Sequence, residues 1–436
     1  MNLAPYRNEQ APRREVLPGG AVLLSSPIET AHAVTLGVFL RSGSQDETAA
    51  TSGISHFIEH MVFKGTERHS AFDLAAGFDA LGAVVDAFTT KDMVAFTIKV
   101  LPEYFRQGVD LLADMLLRPT FSADLVDMER EVVIEEIQEA LDTPEDRLHD
   151  AFSGRLYQGH GRGRPILGTE FTVANFGQDQ LHEHHSRLLS GPNVVLAMSG
   201  NIQKGFTELV AEAFAQLGPA PVPAVAANVE QPAASAAATV AMTTPGEDAF
   251  QLEITSPIIQ AYFELGNLGV RFDHPDRMGV YLLNNMLGGG MSSRIFQAVR
   301  EREGLAYTVY NYADMGRDIG LVSCAGSCSP DKFPRLLEVI RTEYGRLQGE
   351  GIGADELESN RAQLKSQLIF SLEGMVNRMF RLARNEIYYG RFVPVAEIVD
   401  LIDGVTEKDI LECSGRYFDP DALLIAVHGP EPSPTA

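Results

Sequence analysis

Residues 53–63 read Gly-Ile-Ser-His-Phe-Ile-Glu-His-Met-Val-Phe. Wound as a helix at about 100° per residue, His56, Glu59 and His60 fall at roughly 0°, 300° and 40°, so all three project from one face. Ile54, Phe57, Ile58, Met61 and Val62 cover the rest of the circumference, and a helix that is apolar nearly all round is a buried one. Three ionisable side chains in such surroundings need something to satisfy them, and a metal ion does so by taking lone pairs from two neutral imidazoles. The simpler alternative is a pair of core histidines hydrogen-bonded to Glu59. His-x-x-Glu-His arises by chance in only about 0.02 of chains with this His and Glu content, which favours the metal.

A catalytic zinc takes three protein ligands and keeps one position open, so the third must come from another element. Ser122 to Leu141 has helical periodicity, and Pro144 limits how far that helix continues. With Glu129 set at 0°, Glu136 lies at about −20°, among Leu125, Val132, Val133 and Ala140 on the apolar stripe. Glu131, Glu135 and Glu139 fall at roughly 200° to 280°, on the solvent side. The geometry therefore selects Glu136 over its neighbour Glu135. Glu129, two turns earlier on the same stripe, is placed to meet the far nitrogen of a ligand imidazole and fix its tautomer.

The His-x-x-Glu-His order is inverted relative to common zinc peptidases. With a glutamate pair downstream, it resembles the pitrilysin family of zinc metallopeptidases, in particular the mitochondrial processing peptidase type and its bacterial relatives, over about Val16 to Gly429. The resemblance implies that His56, His60 and Glu136 hold the zinc, that Glu59 is the general base and that Glu129 backs a ligand. It also draws attention to Met291 to Val309, which is similar to the family segment whose arginine and tyrosine contact the substrate carbonyl; here these are Arg300 and Tyr307. Without the family, both read as surface residues. Gly288, Gly289 and Gly290 resemble a flexible glycine-rich loop. Asp86-Ala87-Phe88-Thr89 resembles the family's edge strand, to which substrate adds through backbone hydrogen bonds, so Ala87, Phe88 and Thr89 are expected to bind substrate. The family usually has Asn where this chain has Asp86, which leaves the backbone role intact and one side-chain contact open.

Other clusters read differently. His182, His184 and His185 suggest a metal group, but on a helix His184 points away from the other two, so a solvated face is expected. Arg162 and Arg164 with their glycines form a loop rather than a phosphate cradle, since no Lys-Ser or Lys-Thr follows. Cys324 and Cys328 fall in an alternating apolar segment and read as buried strand thiols.

These residues need a scaffold, and the chain carries two copies of one. From about Gly218 to Gly246 it is rich in Ala, Pro and Val, with Pro219, Pro221, Pro223 and Pro232, and reads as a linker. The corner Leu101-Pro102 matches Ser329-Pro330 (330 − 102 = 228), and Pro192 before a terminal strand matches Pro420 at the same offset (420 − 192 = 228). Two anchors at one offset indicate an internal duplication. At that offset His56, Glu59 and His60 become Asn284, Leu287 and Gly288, so the second copy has no zinc set. Ala33 to Arg41 and Val94 to Val100 read as strands, with Thr90-Lys91-Asp92 a hairpin turn before the latter. The expected fold class is α+β, each domain a largely antiparallel sheet packed with helices, and the resemblance implies the mitochondrial processing peptidase-like metallohydrolase fold. The domains are expected at 15–218 and 245–429, with the linker at 219–244.

The 436 residues hold 59 Asp and Glu against 35 Lys and Arg, a formal charge of −24, which disfavours nucleic-acid and anionic-membrane partners and favours basic ones. Three cysteines make no disulfide framework and fit a reducing compartment. Met1 to Val16 lacks the apolar stretch of a secretory signal, and no uncharged apolar run approaches about 18 residues, so the expected location is the cytoplasm, with no membrane span. The expected function is a zinc-dependent endopeptidase acting on extended peptides or unfolded segments, a polarised water attacking the carbonyl as Glu59 takes its proton. The alternative is a non-catalytic scaffold or partner subunit of a peptidase-like complex, which more often lacks the His-Glu-His set. The resemblance further implies a four-domain clamshell, which a homodimer, or a heterodimer with a related subunit, supplies. Arg300 and Tyr307 are then expected to reach the other subunit's zinc.

Overall fold

The computed structural model describes residues 9–218 and 251–430; the expected linker at 219–244 lies outside the described residues. The first sheet contains β1 (Arg13–Val16), β2 (Val22–Pro27), β3 (Val34–Leu40), β4 (Val84–Thr89), β5 (Val94–Val100) and β6 (Val194–Gly200). Their order is β1-β2-β6-β3-β5-β4, and every neighbouring pair is antiparallel except β2 with β6. The second sheet contains β7 (Gln251–Ser256), β8 (Ala261–Gly269), β9 (Ala306–Met315), β10 (Gly320–Cys328) and β11 (Leu424–Pro430), in the order β7-β11-β8-β10-β9. Again one pair, β7 with β11, is parallel and the rest are antiparallel. The offset recurs in the packing: Val94 and Val322 (322 − 94 = 228) each face the helical layer of their own half.

Four helices matter most for the site and its support: α1 (Ile54–Met61), α2 (Ala123–Asp142), α3 (Pro144–Leu156) and α4 (Met375–Tyr389). The helix expected to stop short of Pro144 does so, but Pro144 then opens α3, where its missing N–H and fixed φ suit a first helical turn.

Both faces of the first sheet are covered. Along β3, Val34, Leu36, Val38 and Leu40 join Ile54, Phe57 and Val133 in the core of the first half. Phe39 points the opposite way and packs with Met379, Leu382 and Ala383 of α4, a helix of the second half. A strand buried on both faces is apolar almost throughout, and the one polar side chain of β3, Thr35, donates its hydroxyl to the Ile98 carbonyl (3.1 Å). Gly37 on the same face leaves room for the Phe39 ring, which a Cβ there would meet at 2.3 Å, with Met379 Sδ of α4 next at 3.0 Å. The second sheet receives the reciprocal gift: Leu148 and Phe152 of α3 pack against Leu321, Leu424 and Ala426. Each half thus lends one helix to the outer face of the other's sheet.

Buried polar ties cross the same junction. Arg162, which the sequence places in a plain loop, is 1% exposed and donates to Asp92 of its own half (3.0 Å) and to Asp314 of the other. The Tyr388 hydroxyl also donates to Asp92 (3.0 Å), and Arg317 reaches Asp46 (2.5 Å). Burying this many charges is tolerable because each is paired. Among the described residues no helix is long and apolar enough to cross a membrane.

Candidate metal centre and active site

Helix α1 has only eight residues and starts from Gly53, whose φ of 91° is left-handed; a Cβ there would also meet the Leu167 carbonyl oxygen at 2.4 Å. Its first N–H groups lack intrahelical partners. Glu47 supplies them, its carboxylate accepting from Gly53 N (2.7 Å) and Ser55 N (2.9 Å). The apolar face of α1 sinks Ile54, Phe57, Ile58 and Met61 into the core, which aims His56, Glu59 and His60 toward α2 and the edge strand β4.

Glu136 of α2 meets the two imidazoles: one of its oxygens, Oε2, lies 3.7 Å from His56 Nε2 and 3.7 Å from His60 Nε2. Neither approach is a hydrogen bond, and this buried oxygen has no other partner, nor does His56 Nδ1. Candidate ligand atoms of His56, His60 and Glu136 all lie within 4.8 Å of one another, the only such metal-holding group among the described residues. Two nitrogens and a carboxylate oxygen converging without hydrogen bonds fit a zinc ion, whose ligands stand about 2.0–2.2 Å from the metal. Burial pushes the His56 imidazole down to about 3, so it stays in the neutral form that binds metals. His60 Nδ1 is held by Glu129 Oε1 at 2.8 Å, and this bond raises its pKa. The other Glu129 oxygen takes Lys64 Nζ at 2.5 Å. Burial alone would raise the Glu129 pKa, but the bonds from His60 and Lys64 outweigh it and keep the group ionised.

Glu59 lies beside this group and is not part of it. Burial raises its pKa, and the Thr89 hydroxyl donates to its Oε2 at 2.5 Å. Among the described residues strand β4 pairs only with β5 and leaves its other edge open. Ala87, Phe88 and Thr89 therefore lie on an unpaired edge next to Glu59. Their side chains do different things. The Phe88 ring packs 5.6 Å from that of Phe380 in α4, while Asp86 Oδ1 accepts from the Ala87 N–H (3.0 Å). Three contacts were not read from the sequence. Lys64 stands one helical turn after His60, a spacing that points it toward the same carboxylate, whereas nothing local marks Thr89 or Glu47 as partners of α1.

Arg300 and Tyr307 are brought together with each other: Arg300 donates to the Tyr307 carbonyl (3.0 Å), and its guanidinium lies 4.4 Å from the Tyr307 ring centre. Tyr307 is 80% exposed. Among the described residues neither touches His56, Glu59, His60 or Glu136. Asn284, at the place corresponding to His56, donates to the Asn311 carbonyl (3.5 Å).

The solvated face expected for His182, His184 and His185 is corrected. Their helix, Gln178–Leu188, lies against α1, and His184 Nε2 is 3.3 Å from the Ser55 hydroxyl. His185 is buried and holds the Leu116 carbonyl through Nε2 (2.8 Å), and His182 packs on Phe121. The polar composition of the helix hides these partners, because they come from other elements. Cys324 and Cys328 are buried in β10, as expected for strand thiols.

Two duplicated sheet-and-helix halves, with one inverted His-x-x-Glu-His set in the first and none in the second, define the architecture of a zinc-peptidase family. Residues 22–170 match the family model for insulinase, peptidase family M16, and residues 175–364 match that for the peptidase M16 inactive domain. The chain is 36% identical over 406 residues to the uncharacterized zinc protease YmxG of Bacillus subtilis, covering 93% of this chain and 95% of that one. It is 34% identical to an uncharacterized zinc protease of Mycobacterium tuberculosis, over 97% of this chain and 94% of that one. It therefore belongs to peptidase family M16, the pitrilysin family to which the motifs pointed, and its cofactor is zinc. The fold is shared with the peptidase M16 inactive domain structure from Pseudomonas fluorescens (TM-score 0.85, 21% identity, 98% of this chain and 99% of that one). It is also shared with a protease from Helicobacter pylori (TM-score 0.83, 20% identity, 97% and 100%).

Proposed function

We propose that the protein is a zinc endopeptidase that hydrolyses extended peptides or unfolded segments, basic ones favoured by its charge of −24. The observation that carries this reading is the convergence of His56, His60 and Glu136 on one point with Glu59 beside them and outside the ligand set. Those three side chains hold the zinc, which supplies Lewis acidity toward a water and a peptide carbonyl. Glu59 takes the water's proton and passes it to the leaving amine, and the Thr89 hydroxyl orients its carboxylate. Glu129 fixes the tautomer of His60. Substrate adds to the free edge of β4 through the backbone of Ala87, Phe88 and Thr89, which sets the scissile bond beside Glu59. Arg300 and Tyr307 stabilise the carbonyl oxygen, supplied by a second copy of the chain in a homodimer.

The test is metal analysis beside a fluorogenic peptide assay. Wild type is expected to carry about one zinc per chain. Glu59→Gln should keep the zinc and lose turnover by a factor of about 10² or more. His60→Ala should lose both. Wild-type cleavage rates in Glu59→Gln would remove Glu59 as the base, and a zinc-loaded wild type inert toward a broad peptide library would favour a non-catalytic subunit.

A further inference from the structure

The second half contains a cavity of about 390 Å³, apart from the metal group. It lies between α4 and the helices Arg277–Gly288, Ala354–Ser371 and Val395–Gly404, and Leu364, Leu368, Phe380 and Ile402 give it an apolar wall. Its charged lining is Arg277, Arg381 and Arg384 without a single carboxylate, in a chain where acidic residues outnumber basic ones 59 to 35. Arg381 is neutralised by Glu9 and also donates to the Val393 carbonyl. The other two have no ion-pair partner among the described residues. Arg277, 7% exposed, gives one N–H to the Phe272 carbonyl (2.9 Å) and lies over the rings of Phe272 (4.9 Å) and Tyr389 (5.4 Å). Arg384, at the exposed rim, lies over the same Phe272 ring (5.0 Å) and makes no hydrogen bond or ion pair among the described residues. Besides the Tyr281 phenol, which also lines the cavity, the acids whose charge reaches Arg277 are carboxylates paired elsewhere, Asp273 with Arg271 (2.6 Å) and Glu397 with Arg391 (2.9 Å).

Two guanidinium groups sharing one aromatic ring repel each other, and a buried cation without a counter-charge is costly. Burial, with the charge of Arg384 adding to it, pulls the Arg277 pKa down. Rings beneath the two cations offset part of this cost but do not use the in-plane N–H donors. Those donors suit a carboxylate, which guanidinium groups bind through paired hydrogen bonds. The apolar wall beside them suits a hydrocarbon group, and the volume falls in the range of about 300–1,000 Å³ of small-molecule sites.

We propose that this cavity binds a carboxylate bearing an apolar group, the anion between Arg277 and Arg384 and the apolar portion against Leu364, Phe380 and Ile402. With no acid in the lining to receive an ammonium, a free amino acid is disfavoured. A fatty acid and the C-terminal residue of a peptide share the required chemistry.

Isothermal titration of the full-length protein, in a Glu59→Gln background so that peptide is not hydrolysed, tests this. The probes are sodium octanoate and N-acetyl-leucyl-phenylalanine, each beside its uncharged amide. At least one acid should bind and its amide should not, and Arg277→Gln and Arg384→Gln should each weaken the acid by about tenfold or more. Arg384 sits at the rim, so its variant keeps the test decisive if the Arg277 variant does not fold. Binding of octanoate alone assigns a fatty acid, and binding of the peptide alone assigns a peptide C-terminus. Binding by neither acid, equal binding of acid and amide, or unchanged affinity in folded Arg384→Gln overturns the proposal.

Discussion

Glu129 is held from two sides by one stretch of chain, His60 at 2.8 Å and Lys64 at 2.5 Å. Such a carboxylate raises the basicity of the imidazole it grips and fixes which nitrogen faces the metal. Glu129→Gln keeps the size but removes the charge, and zinc affinity should fall by about 10–100-fold, measured by competition with a chelating dye. An unchanged affinity would leave Glu129 a structural residue only. At this scale the sequence was readable wherever a helical period decided the matter. His56, Glu59 and His60 share a face of α1, and Glu129 and Glu136 a face of α2, because 3.6-residue periodicity is local. The Thr89 hydroxyl was not readable as a partner of Glu59, since which face of β4 turns toward α1 depends on packing between distant segments. The same reason misled the reading of His182, His184 and His185, whose polar helix turns inward.

An eight-residue helix is too short to be stable by itself, so α1 depends on its surroundings and on its N-terminal cap. Glu47 provides that cap from outside the helix, and burial pushes its pKa up to about 7 even though two N–H groups favour its charged form. Glu47→Ala orphans both donors. It should cost about 1–2 kcal/mol in urea unfolding, and the zinc of the loosened helix should leave more readily to chelator. Loss of stability with no change in zinc release would separate the cap from the metal group. The sheets and longer helices were legible: β5 occupies Val94–Val100 as its alternation indicates, and α2 runs one residue beyond its expected end. The role of Pro144 as the opening of α3 was legible only in part, because proline marks the end of one helix and the start of another equally well.

For the whole molecule, the repeat at 228 residues announced two equivalent halves, yet nothing in it announced that α3 and α4 are exchanged between them. Periodicity reports that a face is buried and is silent about what buries it. The exchange places His149 of α3 beside Glu264 of β8 at 3.2 Å. Burial lowers the pKa of this imidazole, but the bond to Glu264 and that group's charge outweigh it and raise the value above 6.5. A raised histidine stabilises the folded state fully below its unfolded pKa and loses that contribution as pH climbs through its folded pKa. Thermal unfolding midpoints should therefore drop as pH climbs from below 6.5 through the raised folded value, by an increment that His149→Gln removes, and parallel pH profiles would exclude this linkage. The proposed homodimer is tested by co-expressing Glu59→Gln with Arg300→Ala. If Arg300 and Tyr307 serve the other subunit's zinc, an isolated mixed dimer has one intact site and about half the wild-type activity, whereas a site complete within one chain gives none. The exchange also has a consequence in time. Strand β6 ends at Gly200 and α4 begins at Met375, 175 positions later (375 − 200 = 175). At about 5–20 residues per second, a ribosome takes roughly 9 to 35 seconds to reach the helix that covers Phe39, Val195 and Ala197. Throughout that interval Phe39, Val195 and Ala197 lack the helix that covers them in the finished fold, so this face of the first sheet is completed only late in synthesis.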